Sequence, residues 1–373
     1  MTSIQTDTPL PHSAPDTLAT GGGAGYLRIA TEEAYAPAEL FDAYRPLLEG
    51  GSDDIGFHSL MGHYLDSSAD RPEFVRSRLQ DLGERRLEEM DATGIDHAIL
   101  ALTSPGTQVL DADTAHRIAV LTNDRLAEAV RNHPSRFSAL AAVGFGDIPG
   151  AVKELERAVT ALGFKGLICN SHIDGEYLDN PRFYPLLEAL QALDVPLYLH
   201  PRTPPNNMIE PLHAAGIDGS IFGFAVETST HLLRLIVSGT LDRFPRLRIV
   251  VGHLGEGLPF WLYRLNYMHA GQVRARRYES IKPLELRPSD YFHRNIWLTT
   301  SGMPWAPTIM YTRQVVGADR VMYAMDYPYE YTPGEVTMQD ALPIAPSERK
   351  QFFQDNAVSV FGLDLATIQG AGR

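Results

Sequence analysis

The sequence lacks the main features of secreted, membrane-spanning and nucleic-acid-binding proteins. It contains one cysteine, Cys169, so no disulfide can form within the chain. It begins without a basic-then-apolar signal pattern, and it has no run of about 18 apolar residues, the length of a membrane-spanning helix. Acidic residues outnumber basic ones by 46 to 32, which disfavours nucleic acids and anionic membranes as partners. We therefore expect a cytoplasmic protein with neither partner, in which Cys169 is a core residue.

Residues 1–24 have the composition of a flexible N-terminal arm, because they are rich in Thr, Pro, Ser, Gly and Ala. Residues 25–373 are interpreted as a single domain. In that domain, apolar segments of strand length alternate with segments of helical periodicity. An irregular insertion is expected after the first strand, and one helix is expected over residues 72–93. The predicted strands cover residues 27–32, 97–102, 137–143, 164–169, 195–200, 246–252, 294–300 and 320–325.

Near-continuous apolar strands, each followed by a helix, are typical of a parallel sheet that is covered by helices. Eight such units predict an α/β fold of the (β/α)8 type, the TIM barrel. The alternative is an open doubly wound sheet. The glycine-rich dinucleotide-binding turn that often follows the first strand of such a sheet is absent from this sequence.

Four of the predicted strands end in a side chain that can bind a cation or transfer a proton: Glu32, His200, His253 and Asp326. The carboxyl ends of barrel strands meet at one mouth, so these residues would converge. Carboxylates and imidazoles around open positions suit Zn²⁺ or Mn²⁺. Each residue also has a purely structural interpretation, as a core histidine, a solvent-facing carboxylate, a helix cap or a turn residue. Their joint occurrence at four strand ends favours one site.

Three further residues could assist at this site. Glu256 lies three residues after His253 at the start of a predicted helix, where it could orient the imidazole. Arg71 and Arg264 are candidate carboxylate clamps, because a guanidinium group can bind a carboxylate through two hydrogen bonds. Each arginine could equally be a solvated surface residue.

These residues lie in motifs that resemble those of the amidohydrolase superfamily. Within it, the sequence resembles the metal-dependent aromatic acid decarboxylases, and among those the 5-carboxyvanillate decarboxylases most. The motifs are RIATEEAY at 28–35, MDATGID at 90–96, LALTSP at 100–105, LHP at 199–201, IFGFAVE at 221–227, VGHLGE at 251–256 and YAMDYP at 323–328.

The resemblance implies one divalent ion, Mn²⁺ in preference to Zn²⁺, held by Glu32, His200 and Asp326. Two departures from the hydrolase pattern favour a single ion. Ala34 lies where many members of the superfamily have a second ligand on strand one. Lys165 lies at the beginning of strand four, whereas the binuclear hydrolases carry a lysine at its end.

The resemblance also implies which residues contact the substrate. His253 would lie near it, and Arg71 and Arg264 would bind its carboxylates. Arg264 would act in its own site or in that of a neighbouring subunit, within a homodimer or a larger homo-oligomer. Three further residues are interpreted as substrate-binding: Thr103, Phe224 and Tyr329. Phe224 and Tyr329 could equally be apolar packing residues.

The implied reaction is the non-oxidative decarboxylation of a small phenolic aromatic carboxylate, 5-carboxyvanillate to vanillate. Asp326 would pass a proton to the ring carbon that carries the carboxylate, while His253, oriented by Glu256, contacts the substrate. Three alternatives stay open: a decarboxylase of γ-resorcylate or 2,3-dihydroxybenzoate, a metal-dependent hydrolase or hydratase on the same barrel, and a barrel used only for binding.

Overall fold

Eight short parallel strands organise the backbone. The computed structural model describes residues 25–370, so the predicted arm over residues 1–24 lies outside the described residues. Every predicted strand exists, although most are shorter than expected. The strands are β1 (Ile29–Tyr35), β2 (His97–Leu102), β3 (Phe137–Ala139), β4 (Leu167–Cys169), β5 (Leu197–Leu199), β6 (Ile249–Val251), β7 (Ile296–Thr299) and β8 (Val321–Met322).

The regular ladders form two parallel sheets, with the orders β1-β2-β3 and β4-β5-β6-β7-β8. Single parallel bridges connect the edges of the two sheets on both sides. Ala141, just after β3, pairs with Leu167 of β4, and Glu33 of β1 pairs with Tyr327, beyond β8. The strand order is consistent with a (β/α)8 barrel, and the parallel sheets with their surrounding helices confirm the predicted α/β fold class.

Successive side chains along each strand face opposite sides of the barrel wall. Tyr198, in the middle of β5, packs in one hydrophobic cluster with Val250 and Met322. Its neighbours Leu197 and Leu199 pack in the other cluster, which also contains helix residues. This alternation places the Tyr198 side chain inside the barrel, below the mouth.

Helices follow each strand and cover the wall from outside. Within residues 25–370, none of them combines the length and the apolar character that a membrane crossing needs. The α-helices are Ala38–Pro46, Ile55–Asp66, Asp70–Leu79, Glu84–Thr93, Ala112–Asn132, Ile148–Thr160, Tyr184–Leu193, Asn206–Ala214, Gly223–Val237, Thr240–Arg243, His253–Glu256, Leu258–Ala275, Asp290–Arg294, Ala306–Val316, Glu335–Asp340, Pro346–Lys350, Asn356–Phe361 and Leu365–Gln369, with shorter turns between some of them.

The segment after β1 is helical, so the prediction of an irregular insertion was wrong. The glycines and aspartates near residue 50 are a connection between helices, and Asp54 caps the second of them by accepting a hydrogen bond from Phe57 N at 2.9 Å. The helix predicted over residues 72–93 is two helices. A turn in which Gly83 N donates to Asp81 Oδ1 at 2.9 Å separates them.

Candidate metal centre and active site

Glu32, His200, His253 and Asp326 converge at the mouth of the barrel. Glu32 lies within β1 and not at its end, because the strand continues to Tyr35. Ligand atoms of Glu32, His253 and Asp326 all lie within 4.8 Å of one another. His200 Nε2 lies 3.3 Å from Glu32 Oε1. The structure thus brings together all four polar residues that the sequence places at strand ends.

The two imidazoles are fixed by different partners. His200 Nδ1 lies 2.9 Å from the carbonyl oxygen of Pro201, an acceptor, so Nδ1 carries a hydrogen and Nε2 is the nitrogen that faces Glu32. His253 Nδ1 lies 2.7 Å from Glu256 Oε1. His253 Nε2 lies 3.8 Å from Glu32 Oε1 and 3.6 Å from Asp326 Oδ2. Burial opposes the charged imidazole, but Glu256 and Glu32 outweigh it and raise the pKa of His253 well above its usual range.

The two oxygens of Glu32 have different surroundings. Oε2 accepts hydrogen bonds from Ser301 Oγ at 2.6 Å, from Thr299 Oγ1 at 3.0 Å and from the Tyr198 hydroxyl. Oε1 is buried and has no hydrogen-bond partner among the described residues. Burial raises the pKa of Glu32, but His253 and His200 outweigh it and lower this pKa to about 2.

These residues fit a divalent cation. A buried carboxylate oxygen without a donor is costly unless a positive charge lies beside it. His200 and the carboxylate of Asp326 border the same small interior cavity, of about 10 Å³. Oxygen and imidazole ligands of this kind suit Mn²⁺ or Zn²⁺.

The backbone at His253 and Asp326 is left-handed, with φ of 53° and 64°. This conformation costs about 1–2 kcal/mol for a residue with a Cβ atom. Such strain persists where the surrounding structure enforces it, and it clusters at functional sites. Gly252 precedes His253, and a Cβ atom there would come within 2.7 Å of Glu32 Oε2. Close packing against the Gly252 backbone therefore helps to hold the carboxylate.

A cavity of about 490 Å³ opens above the cluster. His200, His253 and Asp326 form part of its floor, and this volume suits one substituted aromatic ring. Its walls contain three of the predicted substrate-binding residues and several that the sequence did not suggest. The predicted ones are Arg71, Phe224 and Tyr329, and the additional ones include Leu60, Tyr64, Ser104, Met303 and Glu330.

Two of the predicted substrate-binding residues lie outside this cavity within the single chain. Thr103 is buried and borders the small interior cavity, where its Oγ1 lies 2.7 Å from the hydroxyl of Tyr329. Thr103 therefore positions Tyr329 here and does not line the larger cavity. Arg264 is exposed on the outer surface of the helix Leu258–Ala275. It reaches no cavity residue of its own chain in any hydrogen bond or ion pair between described residues.

The hydroxyl groups around Glu32 were missed by sequence reasoning. Tyr198 lies within an apolar run, where nothing in the sequence distinguishes its hydroxyl from that of a core tyrosine. Thr299 and Ser301 lie near the carboxyl end of β7, at the same mouth as the predicted residues. The available signal was the two-residue spacing of Thr299 and Ser301 at a strand end, which directs both hydroxyls to the same side.

The family model described as "Amidohydrolase" matches residues 61–363. A crystal structure of 5-carboxyvanillate decarboxylase from Novosphingobium aromaticivorans, complexed with manganese and 4-hydroxy-3-methoxy-5-nitrobenzoic acid, is 50% identical in sequence, with a TM-score of 0.92 over 94% of this chain and 100% of that one. The 5-carboxyvanillate decarboxylase from Sphingomonas paucimobilis is 37% identical, with a TM-score of 0.86 over 91% and 100% of the two chains. The γ-resorcylate decarboxylase of Polaromonas sp. is 37% identical over 303 residues, 79% of this chain and 91% of its own.

Proposed function

This chain belongs to the amidohydrolase family, and from that premise we propose that it is a metal-dependent, non-oxidative decarboxylase that converts 5-carboxyvanillate to vanillate. One observation carries the proposal. Glu32, His200, His253 and Asp326 form a cluster suited to a divalent cation at the floor of a cavity that accommodates a single aromatic ring. The likeness to manganese-containing 5-carboxyvanillate decarboxylase selects the reaction and the ion.

Glu32 Oε1, His200 Nε2 and the Asp326 carboxylate would hold one Mn²⁺. The three residues whose ligand atoms all lie within 4.8 Å of one another are Glu32, His253 and Asp326, a set that contains His253 and not His200. We assign His200 as the ligand because its Nε2 is the nitrogen nearer to Glu32 Oε1, at 3.3 Å against 3.8 Å for His253. When bound, the ion supplies positive charge that stabilises the phenolate oxygen of the substrate.

Asp326 takes the phenolic proton as the substrate binds and delivers it to the ring carbon that carries the leaving carboxylate. The new C–H bond interrupts the aromatic system. The bond from this carbon to the carboxylate then breaks, its electron pair restores aromaticity, and CO₂ leaves. His253, held by Glu256, donates a hydrogen bond from Nε2 to a substrate oxygen during these steps.

Arg71 and Tyr329 bind the distal end of the ring. The Arg71 guanidinium donates to the carbonyl oxygen of Tyr329 and lines the cavity, so its remaining N–H groups are available to the carboxylate that the product retains. Phe224 contributes an apolar wall. Thr103 keeps the Tyr329 ring in place through their hydroxyl contact.

Arg264 acts in a neighbouring subunit of a homodimer or a larger assembly. Its helix, Leu258–Ala275, presents aromatic side chains to solvent: Phe260, Tyr263 and Tyr267 are 71%, 85% and 67% exposed. Large exposed apolar patches on monomers mark interaction surfaces. A copy of this chain on that face would bury these rings and place Arg264 against another molecule. We also propose a cytoplasmic location, because a chain with a single cysteine, Cys169, cannot form an internal disulfide.

The test is the release of CO₂ and vanillate from 5-carboxyvanillate by the purified, Mn²⁺-loaded protein. γ-Resorcylate is the second substrate to measure, because a γ-resorcylate decarboxylase is 37% identical. We expect turnover of 5-carboxyvanillate with a higher kcat/KM than that of γ-resorcylate. Turnover of γ-resorcylate alone would reassign the substrate, and failure of both would reject the decarboxylase proposal.

A further inference from the structure

The hydroxyl groups of Tyr198, Thr299 and Ser301 form a connected group beneath the metal centre. The Tyr198 hydroxyl lies 3.0 Å from Thr299 Oγ1, which lies 3.1 Å from Ser301 Oγ. Ser301 Oγ also accepts a hydrogen bond from His253 N at 3.1 Å. All three side chains are buried, and they come from β5, from β7 and from the residues just after β7. We call Tyr198, Thr299 and Ser301 the hydroxyl triad.

The hydroxyl triad forms hydrogen bonds with one of the two carboxylate oxygens of Glu32 and not with the other. All three hydroxyls are within hydrogen-bond distance of Oε2, and none of them contacts Oε1. The backbone of Gly252 also packs against the Glu32 carboxylate. A Cβ atom added to Gly252 would lie 2.7 Å from Oε2 and 3.0 Å from Oε1. The carboxylate is therefore fixed in rotation, with one oxygen saturated by donors and the other free of donors among the described residues.

We infer that Tyr198, Thr299 and Ser301 are positioning residues that hold Glu32 so that only Oε1 is available to the cation, and that this selects Mn²⁺ over Ca²⁺. The physical reason lies in how the two cations use carboxylates. Ca²⁺ takes six to eight oxygen ligands and often binds both oxygens of one carboxylate, whereas smaller cations favour six ligands in a stricter geometry. A carboxylate with one oxygen already occupied by three hydroxyls cannot offer both.

The triad also connects the metal ligand to the substrate side of the site. Ser301 donates to Glu32 and accepts from the backbone of His253, so one hydroxyl sets the relative position of both residues. Removal of a group that hydrogen-bonds to a metal ligand typically weakens metal binding by about 10- to 100-fold. This inference rests on the proposed metal site but not on the identity of the aromatic substrate.

The experiment measures Mn²⁺ and Ca²⁺ affinity by isothermal titration calorimetry on the purified full-length protein after its metal has been removed by a chelator. Tyr198→Phe removes one hydroxyl without changing the size of the ring. Tyr323→Phe is the matched control, because Tyr323 is equally buried and its hydroxyl has no hydrogen-bond partner within the described chain. Thr299→Val and Thr299→Ser form a second pair, in which only the serine keeps the hydroxyl.

We expect Tyr198→Phe and Thr299→Val to weaken Mn²⁺ binding by about 10- to 100-fold and to raise the ratio of Ca²⁺ to Mn²⁺ affinity. Tyr323→Phe and Thr299→Ser should stay close to the wild type. Unchanged Mn²⁺ affinity in Tyr198→Phe, or equal losses for both cations in every variant, would overturn the inference. A wild-type protein that binds no Mn²⁺ would instead reject the proposed metal site, so the two failures are distinguishable.

Discussion

Replacement of Asp326 by Asn tests the proposed source of the proton. Asn has nearly the same shape, and it tolerates the left-handed backbone that Asp326 adopts, with φ of 64°. The hydrogen bond from Glu330 N to the Asp326 carbonyl oxygen, at 2.9 Å, involves only backbone and is retained. The variant should therefore fold and bind the ring, but an amide cannot take the phenolic proton and deliver it to carbon.

The expected loss follows from that role. A positioned general acid contributes about 10²- to 10⁴-fold to a rate. We therefore expect kcat of Asp326→Asn to fall by about 10³-fold or more, equivalent to about 4 kcal/mol, with a smaller change in KM. Vanillate formation is followed by absorbance at a series of Mn²⁺ concentrations, because the substitution also removes a negative charge from the metal centre.

Asp174→Asn is the matched control. Asp174 is also an aspartate with a left-handed backbone, with φ of 50°, and it is exposed and distant in sequence from the cluster. This variant should keep the wild-type kcat. If Asp326→Asn retains a kcat similar to that of the wild type, Asp326 is not the acid. If high Mn²⁺ restores its activity, Asp326 serves only as a metal ligand.

Three further predictions address the packing, the assembly and the pH dependence of the protein. Gly252→Ala should displace Glu32 and weaken Mn²⁺ binding at least about tenfold in calorimetry, because the new Cβ atom would come within 2.7 Å of a carboxylate oxygen. Gly62→Ala is the control and should leave Mn²⁺ binding unchanged, because its new Cβ atom meets nothing within 4 Å. If Arg264 serves a neighbouring subunit, mixing inactive Arg264→Ala and Asp326→Asn proteins should restore activity, because each mixed pair then contains one intact site. A mixture that recovers no activity would mean that Arg264 does not complete the site of a neighbouring subunit. Burial lowers the pKa of His97 to about 4. As the pH drops, His97 is therefore protonated in the unfolded chain before it is protonated in the folded protein. The free energy of unfolding should accordingly fall between about pH 6.5 and pH 4, by about 1.4 kcal/mol per pH unit. In denaturant titrations, His97→Gln should remove that part of the slope, and an unchanged slope would contradict the assignment.

The barrel and the four strand-end residues could be predicted because both follow from local patterns. Apolar segments ending in Glu, His or Asp are visible in the sequence, and the convergence of strand ends is a general property of the fold. The exact strand bounds could not be predicted. Glu32, for example, lies inside β1, because pairing with β2 and a single bridge beyond β8 extend that strand to Tyr35.

The surroundings of Glu32 could not be derived from the sequence, because they depend on contacts between distant strands. Tyr198 looks like a core residue in an apolar run, and only the closed barrel brings its hydroxyl to Glu32, 166 positions away. The position of the Thr103 side chain depends on a similar contact between distant residues. Its hydroxyl meets Tyr329, 226 positions away, and its side chain faces the small interior cavity, whereas the sequence suggested direct contact with the substrate.

The most direct test of the proposed metal centre is the titration of metal-free protein with Mn²⁺ while vanillate formation from 5-carboxyvanillate is measured. We expect no turnover without metal and a linear rise in activity that ends at one Mn²⁺ per chain. Turnover that persists in the metal-free protein, or that continues to rise to two ions per chain, would contradict a single cation held by Glu32, His200 and Asp326.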